Sequence, residues 1–193
     1  MHRFFLNLSR TMAILGGIVL SILILMMCLS IVGRTLNGFL HSDFAINVFG
    51  GLAEKLLDLG IGPVNGDYEL LEAGIAFTIF AFIPLTQITG GHATVDIFTN
   101  ALPQKVQAIL FAVIETLFAV VLVIIAWQLK EGMFDKMDRG QTTFLLQFPV
   151  WWAYAFSLIG AATAGLVGVY TAYARIHQVF TGSALIVDEG ADH

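Results

Sequence analysis

The chain has 193 residues, of which 9 are Lys or Arg and 14 are Asp or Glu, giving a net charge of −5 and 12% charged residues. That is about half the roughly 25% of an ordinary soluble domain. Four stretches, Thr11–Gly33, Ala73–Gly91, Val106–Leu129 and Gly140–Ala174, hold 101 residues and a single charge, Glu115. Such sorting excludes an ordinary soluble domain. A hydrophobic content of 58% excludes disorder, and an acidic chain without a basic run excludes nucleic-acid binding.

The first stretch follows His2, Arg3 and Arg10, a positive start like that of a signal peptide. Its 23 uncharged residues exceed the roughly 7–15 of a signal core, and no A-x-A site follows. It is expected to stay as a membrane helix, about Met12–Val32. Cys28 lies within it and is the one cysteine of the chain, so no internal disulfide or CxxC redox pair can form.

Residues 34–66 separate the first two spans. On a helical wheel of Phe44–Leu59 the apolar arc holds Phe44, Val48, Phe49, Leu52, Leu56 and Leu59, opposite Asn47, Glu54 and Asp58. This pattern predicts a short amphipathic helix along the membrane surface, with Gly50-Gly51 as its weak point. Asp67 is placed to cap the second span, about 68–89, and Glu69 and Glu72 follow in its first turns, where the positive helix end favours them.

Pro103 precedes the third span, about 106–129. Glu115 lies nine residues past Val106, some 13–14 Å into a crossing of roughly 30 Å. A carboxylate at that depth is costly and marks a function or a helix contact. As a lone acid it does not form a relay. Pro149 marks the start of the fourth span, about 149–173, with Trp151, Trp152 and Tyr154 as an interfacial aromatic belt. Within this span Gly160, Ala164, Gly168 and Ala172 recur every fourth residue, beside a second row of Ala161 and Gly165. Small residues at that spacing let helices approach closely in lipid. The first span has a shorter row, Ala13, Gly17 and Ser21.

The expected architecture is therefore all-α and integral to the membrane. Residues 1–175 form a single domain of four transmembrane helices, with a short amphipathic interfacial helix at about 44–59 between helices one and two. Residues 176–193 form a polar tail. The histidines, His2, His41, His92, His177 and His193, all lie outside the spans, so the paired ligands of a membrane haem are missing. No hydrolase motif and no phosphate-binding glycine loop is present. No cofactor, metal site or catalytic residue is expected, and the chain reads as a non-enzymatic subunit of something larger. With the N-terminus inside, four basic residues fall on inner segments and five on outer ones, so charge does not fix the topology.

Two blocks of residues carry a resemblance. Glu69-Leu-Leu-Glu72, an apolar span, Gly90-Gly-His92-Ala-Thr-Val-Asp96 and Leu102-Pro103 form the first; Gly140-Gln-Thr-Thr, Pro149-Val-Trp151-Trp-Ala-Tyr154 and Gly160 form the second. In this order the chain resembles, over about residues 12–175, the small membrane subunit (DctQ type) of tripartite ATP-independent periplasmic (TRAP) transporters. It departs from the family pattern at Glu72, where Arg is frequent, and at Thr89, where a basic residue is frequent. The resemblance implies a sodium-coupled secondary transporter for organic anions such as carboxylates. Its partners would be a large TRAP membrane subunit, a periplasmic solute-binding protein and the lipid bilayer. The small subunit would act as a scaffold, help dock the binding protein, and reside in the bacterial inner (cytoplasmic) membrane with both termini cytoplasmic. His92 and Asp96 would then order the turn between helices two and three. Two alternatives stand beside it: a stand-alone proton-coupled exporter using Glu115, and the membrane anchor of a redox complex.

Overall fold

The computed structural model describes residues 2–90 and 103–181. They form five helices: α1 (His2–Leu40), α2 (Asp43–Asp58), α3 (Asp67–Ile88), α4 (Gln104–Asp138) and α5 (Trp151–Thr181). Four of these, all but α2, are long and apolar enough to cross a membrane. The protein is an all-helical, multi-pass membrane protein, and no strand occurs among the described residues.

Each long helix outruns its uncharged stretch at one end or both. Charge marks where a chain leaves hydrocarbon, whereas a helix continues until its backbone is redirected. α1 runs on to Leu40, where the Ser42 hydroxyl donates to the Phe39 carbonyl (2.6 Å) and accepts from the Ala45 N–H (3.3 Å), turning the chain into α2. α4 carries the mixed run from Lys130 to Asp138 as continuous helix. It ends at Gly140 (φ +58°), the left-handed position that favours glycine, with Gln141 N–H returning to the Lys136 carbonyl at 3.3 Å. Pro149 is not the first residue of α5, as expected from the sequence. It lies two residues before the helix, and its carbonyl accepts the Trp152 N–H at 3.1 Å. Pro103 stands just outside α4, and its carbonyl accepts from Val106 and Gln107 at 2.8 and 3.1 Å.

The short helix α2 begins at Asp43 and bends at Gly50, whose φ of 30° and ψ of −106° lie outside the helical range. Phe44, Val48, Leu52 and Leu59 are 57–77% exposed, so most of the predicted apolar arc faces outward rather than into the protein.

The long helices lie side by side in the order α1, α3, α5, α4. α5 is central: 56% of its apolar stretch is buried, against 11% for α1. α1 and α3 run antiparallel, with Ser30 beside Asp67, Leu23 beside Gly74 and Gly16 beside Ala81. The buried residues Ser9, Gly16, Leu23 and Ser30 recur every seventh position, the spacing of a narrow helix seam. This replaces the row expected from the sequence. Nothing lies within 4 Å of a Cβ placed on Gly17, and Ser21 is exposed, donating to its own helix at the Gly17 carbonyl.

The small residues of α5 do form its contacts. Gly160, Ala164, Gly168 and Ala172 are all buried, as are Ala161 and Gly165. A Cβ on Gly160 would stand 2.9 Å from the Phe80 Cβ of α3. Pro84, buried one turn further on, supplies no N–H to the Phe80 carbonyl. A Cβ on Gly168 would meet Ala119 Cα of α4 at 3.4 Å and Gln87 Nε2 of α3 at 3.5 Å. One row thus brings two neighbours close, with α3 parallel to α5 and α4 antiparallel.

Candidate functional site

Polar side chains that tie one element to another collect at two levels, one near each end of the helical layer. At one end lie the first turn of α3, the 59–66 loop and the 140–150 connection; the other end holds the start of α1 and the end of α5.

The first cluster joins α1 to α3. Asp67 is 4% exposed. Its Oδ2 accepts from the Ser30 hydroxyl at 2.5 Å and from Arg34 Nη2 at 3.2 Å, while Oδ1 accepts from the Tyr68 N–H at 2.8 Å. Ser30 Oγ also accepts from the Val64 N–H (3.1 Å), and Asn37 Nδ2 donates to the Ile61 carbonyl (2.8 Å). Gly33 lets the loop in: a Cβ there would clash with the Gly62 carbonyl oxygen. Asp67 is therefore less a cap than a tie between two helices; the cap position is Gly66, at φ +74°. Sequence reading missed Ser30 and Arg34, because nothing local marks residues 37 and 33 positions upstream of a future partner.

The second cluster joins α3 to the connection between α4 and α5. Glu69 accepts from the backbone N–H groups of Leu145 (2.6 Å) and Leu146 (2.9 Å), one on each carboxylate oxygen. The connection folds back on itself. Thr142 and Pro149 pair as an antiparallel bridge, Thr143 N–H donates to Phe148 O (2.9 Å) and Val150 N–H donates to Gln141 O (2.9 Å). Gln147 sits at φ +56° and its amide donates to the Phe144 carbonyl at 2.7 Å. Leu146 rests on Gly66, where a Cβ would clash with its Cγ. So Glu69, Gly140, Pro149 and Trp151, distant in sequence, frame one hairpin. Below it a cavity of about 560 Å³ opens between α3 and α4, floored by Ala153 and Ser157 of α5 and reached by Glu69, Glu72 and Tyr154.

The third cluster centres on Glu115. Its Oε2 accepts from Gln87 Nε2 of α3 at 3.1 Å and from the Thr171 hydroxyl of α5 at 3.2 Å. Gln87 and Thr171 are 2% and 1% exposed, and Gln87 Oε1 is buried without a partner. Each lies 20 residues past the start of its helix, about 30 Å at 1.5 Å per residue. Glu115 therefore stands about 30 Å from the hairpin end, level with the last turn of α3. α4 begins at Gln104, and its first turns reach beyond the end of α3. In the row of helices α3 and α4 are not neighbours, and Glu115 bridges them across α5.

His92 and Asp96 lie outside the described residues. Among the described residues no group of three or more His, Cys, Asp or Glu side chains is arranged to hold a metal ion.

The family model of the DctQ component of tripartite ATP-independent periplasmic transporters matches residues 56–178. The match takes in α3, α4, most of α5 and the hairpin, with Glu69 and Glu115, which tie these elements together, and Asp67, which ties α3 to α1. It is shorter than the resemblance read over 12–175 and leaves α1 outside. No curated protein and no solved structure matches the chain. The chain belongs to the DctQ family, components of the tripartite ATP-independent periplasmic transporters.

Proposed function

We propose that this chain is the small permease subunit of a sodium-coupled transporter for organic anions such as carboxylates, and that it serves as a rigid scaffold. In this reading it widens the membrane footprint of a large transport subunit and helps dock a periplasmic solute-binding protein. Its place is the bacterial inner membrane, with both termini in the cytoplasm. The observation that carries the reading is the engagement of the intramembrane carboxylate. Glu115 is spent on Gln87 and Thr171, holding three helices together. A residue that carried protons or ions across would need to exchange partners with water on both sides. Solute class, sodium coupling and docking are read from the motif resemblance; the packing supports the scaffold role.

The layer geometry supports it too. α1 and α4, at the two edges, keep most of their large apolar side chains exposed, including Leu25 (70%) and Trp127 (63%). Such surfaces suit lipid or a second membrane protein. Under this proposal His92 and Asp96 order the cytoplasmic turn between α3 and α4, and their joint replacement by Ala lowers the yield of the assembled complex.

The test is reconstitution. Expressed with its neighbouring genes, the chain is expected to co-purify with a much larger membrane protein, and solute uptake into liposomes should need both plus the binding protein. Transport by the purified chain alone, abolished by Glu115→Gln, would instead establish the small-exporter alternative. A haem absorption band on the purified protein would establish the redox-anchor alternative.

A further inference from the structure

The hairpin between α4 and α5 has a composition that does not suit water. From Gly140 to Val150 there is no charged residue, whereas the connection at 41–66 carries Asp43, Glu54, Lys55 and Asp58. Its tip is apolar and exposed: Phe144 by 87%, Leu145 by 54% and Leu146 by 37%. A flexible loop would fold such side chains away. This one is held by the Thr142–Pro149 bridge, by the Gln147 amide on Phe144 O and by Glu69 on two backbone N–H groups. Fixing the backbone before contact removes much of the ordering cost of binding.

The level of the hairpin identifies what it meets. α3 and α5 run parallel, with Phe80 beside Gly160 and Gln87 beside Gly168, so Glu69 stands level with Pro149 and Val150, at the base of the hairpin. Glu69 therefore holds Leu145 and Leu146 at the height where the helices begin, rather than above it. The tip is thus held at the level of the first turn of α5, which carries Trp151, Trp152 and Tyr154. That is the height at which amphipathic aromatic side chains meet lipid headgroups. A shallow apolar element at this level gains by entering the boundary between headgroup and acyl chain.

We propose that the 142–149 hairpin is a lipid-binding element, with Phe144 and Leu145 inserted into the leaflet at the hairpin end and Glu69 holding it flat against the first turn of α3. The occupant is the bilayer surface, and this placement does not depend on the transport role.

The experiment uses the full chain in lipid nanodiscs. In a Cys28→Ser background, a nitroxide is attached at Phe144→Cys, at Leu25→Cys as a lipid reference and at Asp138→Cys as a water reference. Collision rates with dissolved oxygen, which partitions into lipid, and with a neutral nickel chelate, which stays in water, are then compared. The oxygen-to-nickel ratio at 144 is expected to match that at 25 and to exceed that at 138. A ratio equal to that at 138 overturns the proposal. So does a label shielded from both agents, which would mean that protein covers the tip. Adding Glu69→Ala should move the ratio at 144 towards the water reference; an unchanged ratio removes Glu69 from the proposal.

Discussion

Glu115 on α4 and Gln87 on α3 meet at 3.1 Å across the face of α5, between two helices that are not otherwise neighbours in the layer. With the Glu69 hairpin at the opposite end, this bond closes α3 onto the α4–α5 pair. Two acids thus fasten one helix at both ends, about 30 Å apart.

Replacing Glu115 tests the inner fastening. Glu115→Gln keeps an acceptor for Gln87 and Thr171 and is expected to change stability little. Glu115→Leu removes the acceptor and should cost about 0.6–1.7 kcal/mol, the range of interhelical polar contacts in membranes. Thermal unfolding in detergent measures both. A double-mutant cycle with Gln87→Leu should show coupling, since the two side chains share one bond. Strict additivity would show that the contact does not contribute.

Neighbouring glycines on α1 should behave in opposite ways. A Cβ on Gly16 would stand 2.9 Å from the Ala81 Cβ, so Gly16→Ala must push α1 from α3 and should cost about 1–3 kcal/mol. Gly17 faces open space, and Gly17→Ala should be neutral or stabilise by up to about 1 kcal/mol through helix propensity. Equal effects at the two positions would refute the seven-residue seam.

Glu69→Ala frees the N–H groups of Leu145 and Leu146. Amide hydrogen exchange at these two residues is expected to speed up sharply, with Glu69→Gln intermediate because its one carbonyl oxygen accepts at fewer sites. Exchange unchanged in Glu69→Ala would mean that the backbone bridge alone orders the hairpin.

Asp67→Ala should destabilise the protein more than Arg34→Ala. Losing Asp67 strands the Ser30 hydroxyl at a buried seam. Losing Arg34, whose side chain is 51% exposed, leaves Asp67 with its bonds to Ser30 and the Tyr68 N–H. The order of the two melting temperatures is the readout.

The membrane class, the four spans and the dense small-residue row of α5 were legible in the sequence. Each follows from a property written locally: absence of charge over about 20 residues, or small side chains at helical spacing. Glu69, Gly140, Pro149 and Trp151 were also singled out, on motif resemblance, without any sign that they frame a single hairpin. The helix ends were not legible, because charge reports the edge of hydrocarbon while capping at Ser42 and Gly140 ends the helices. The seam of α1 was missed because Ala13, Gly17 and Ser21 satisfy a four-residue rule as well as Gly16 satisfies a seven-residue one; only the partner, Ala81, separates them.

The sequence by itself determined the solvent of each segment, since the cost of a charge in lipid is paid wherever the residue stands. Which helix lies beside which was decided only by tertiary structure. The ties that choose neighbours, Ser30 to Asp67, Glu69 to Leu146 and Gln87 to Glu115, span 37, 77 and 28 residues. Such pairings depend on where two rigid helices bring their polar groups together, and no local pattern encodes that.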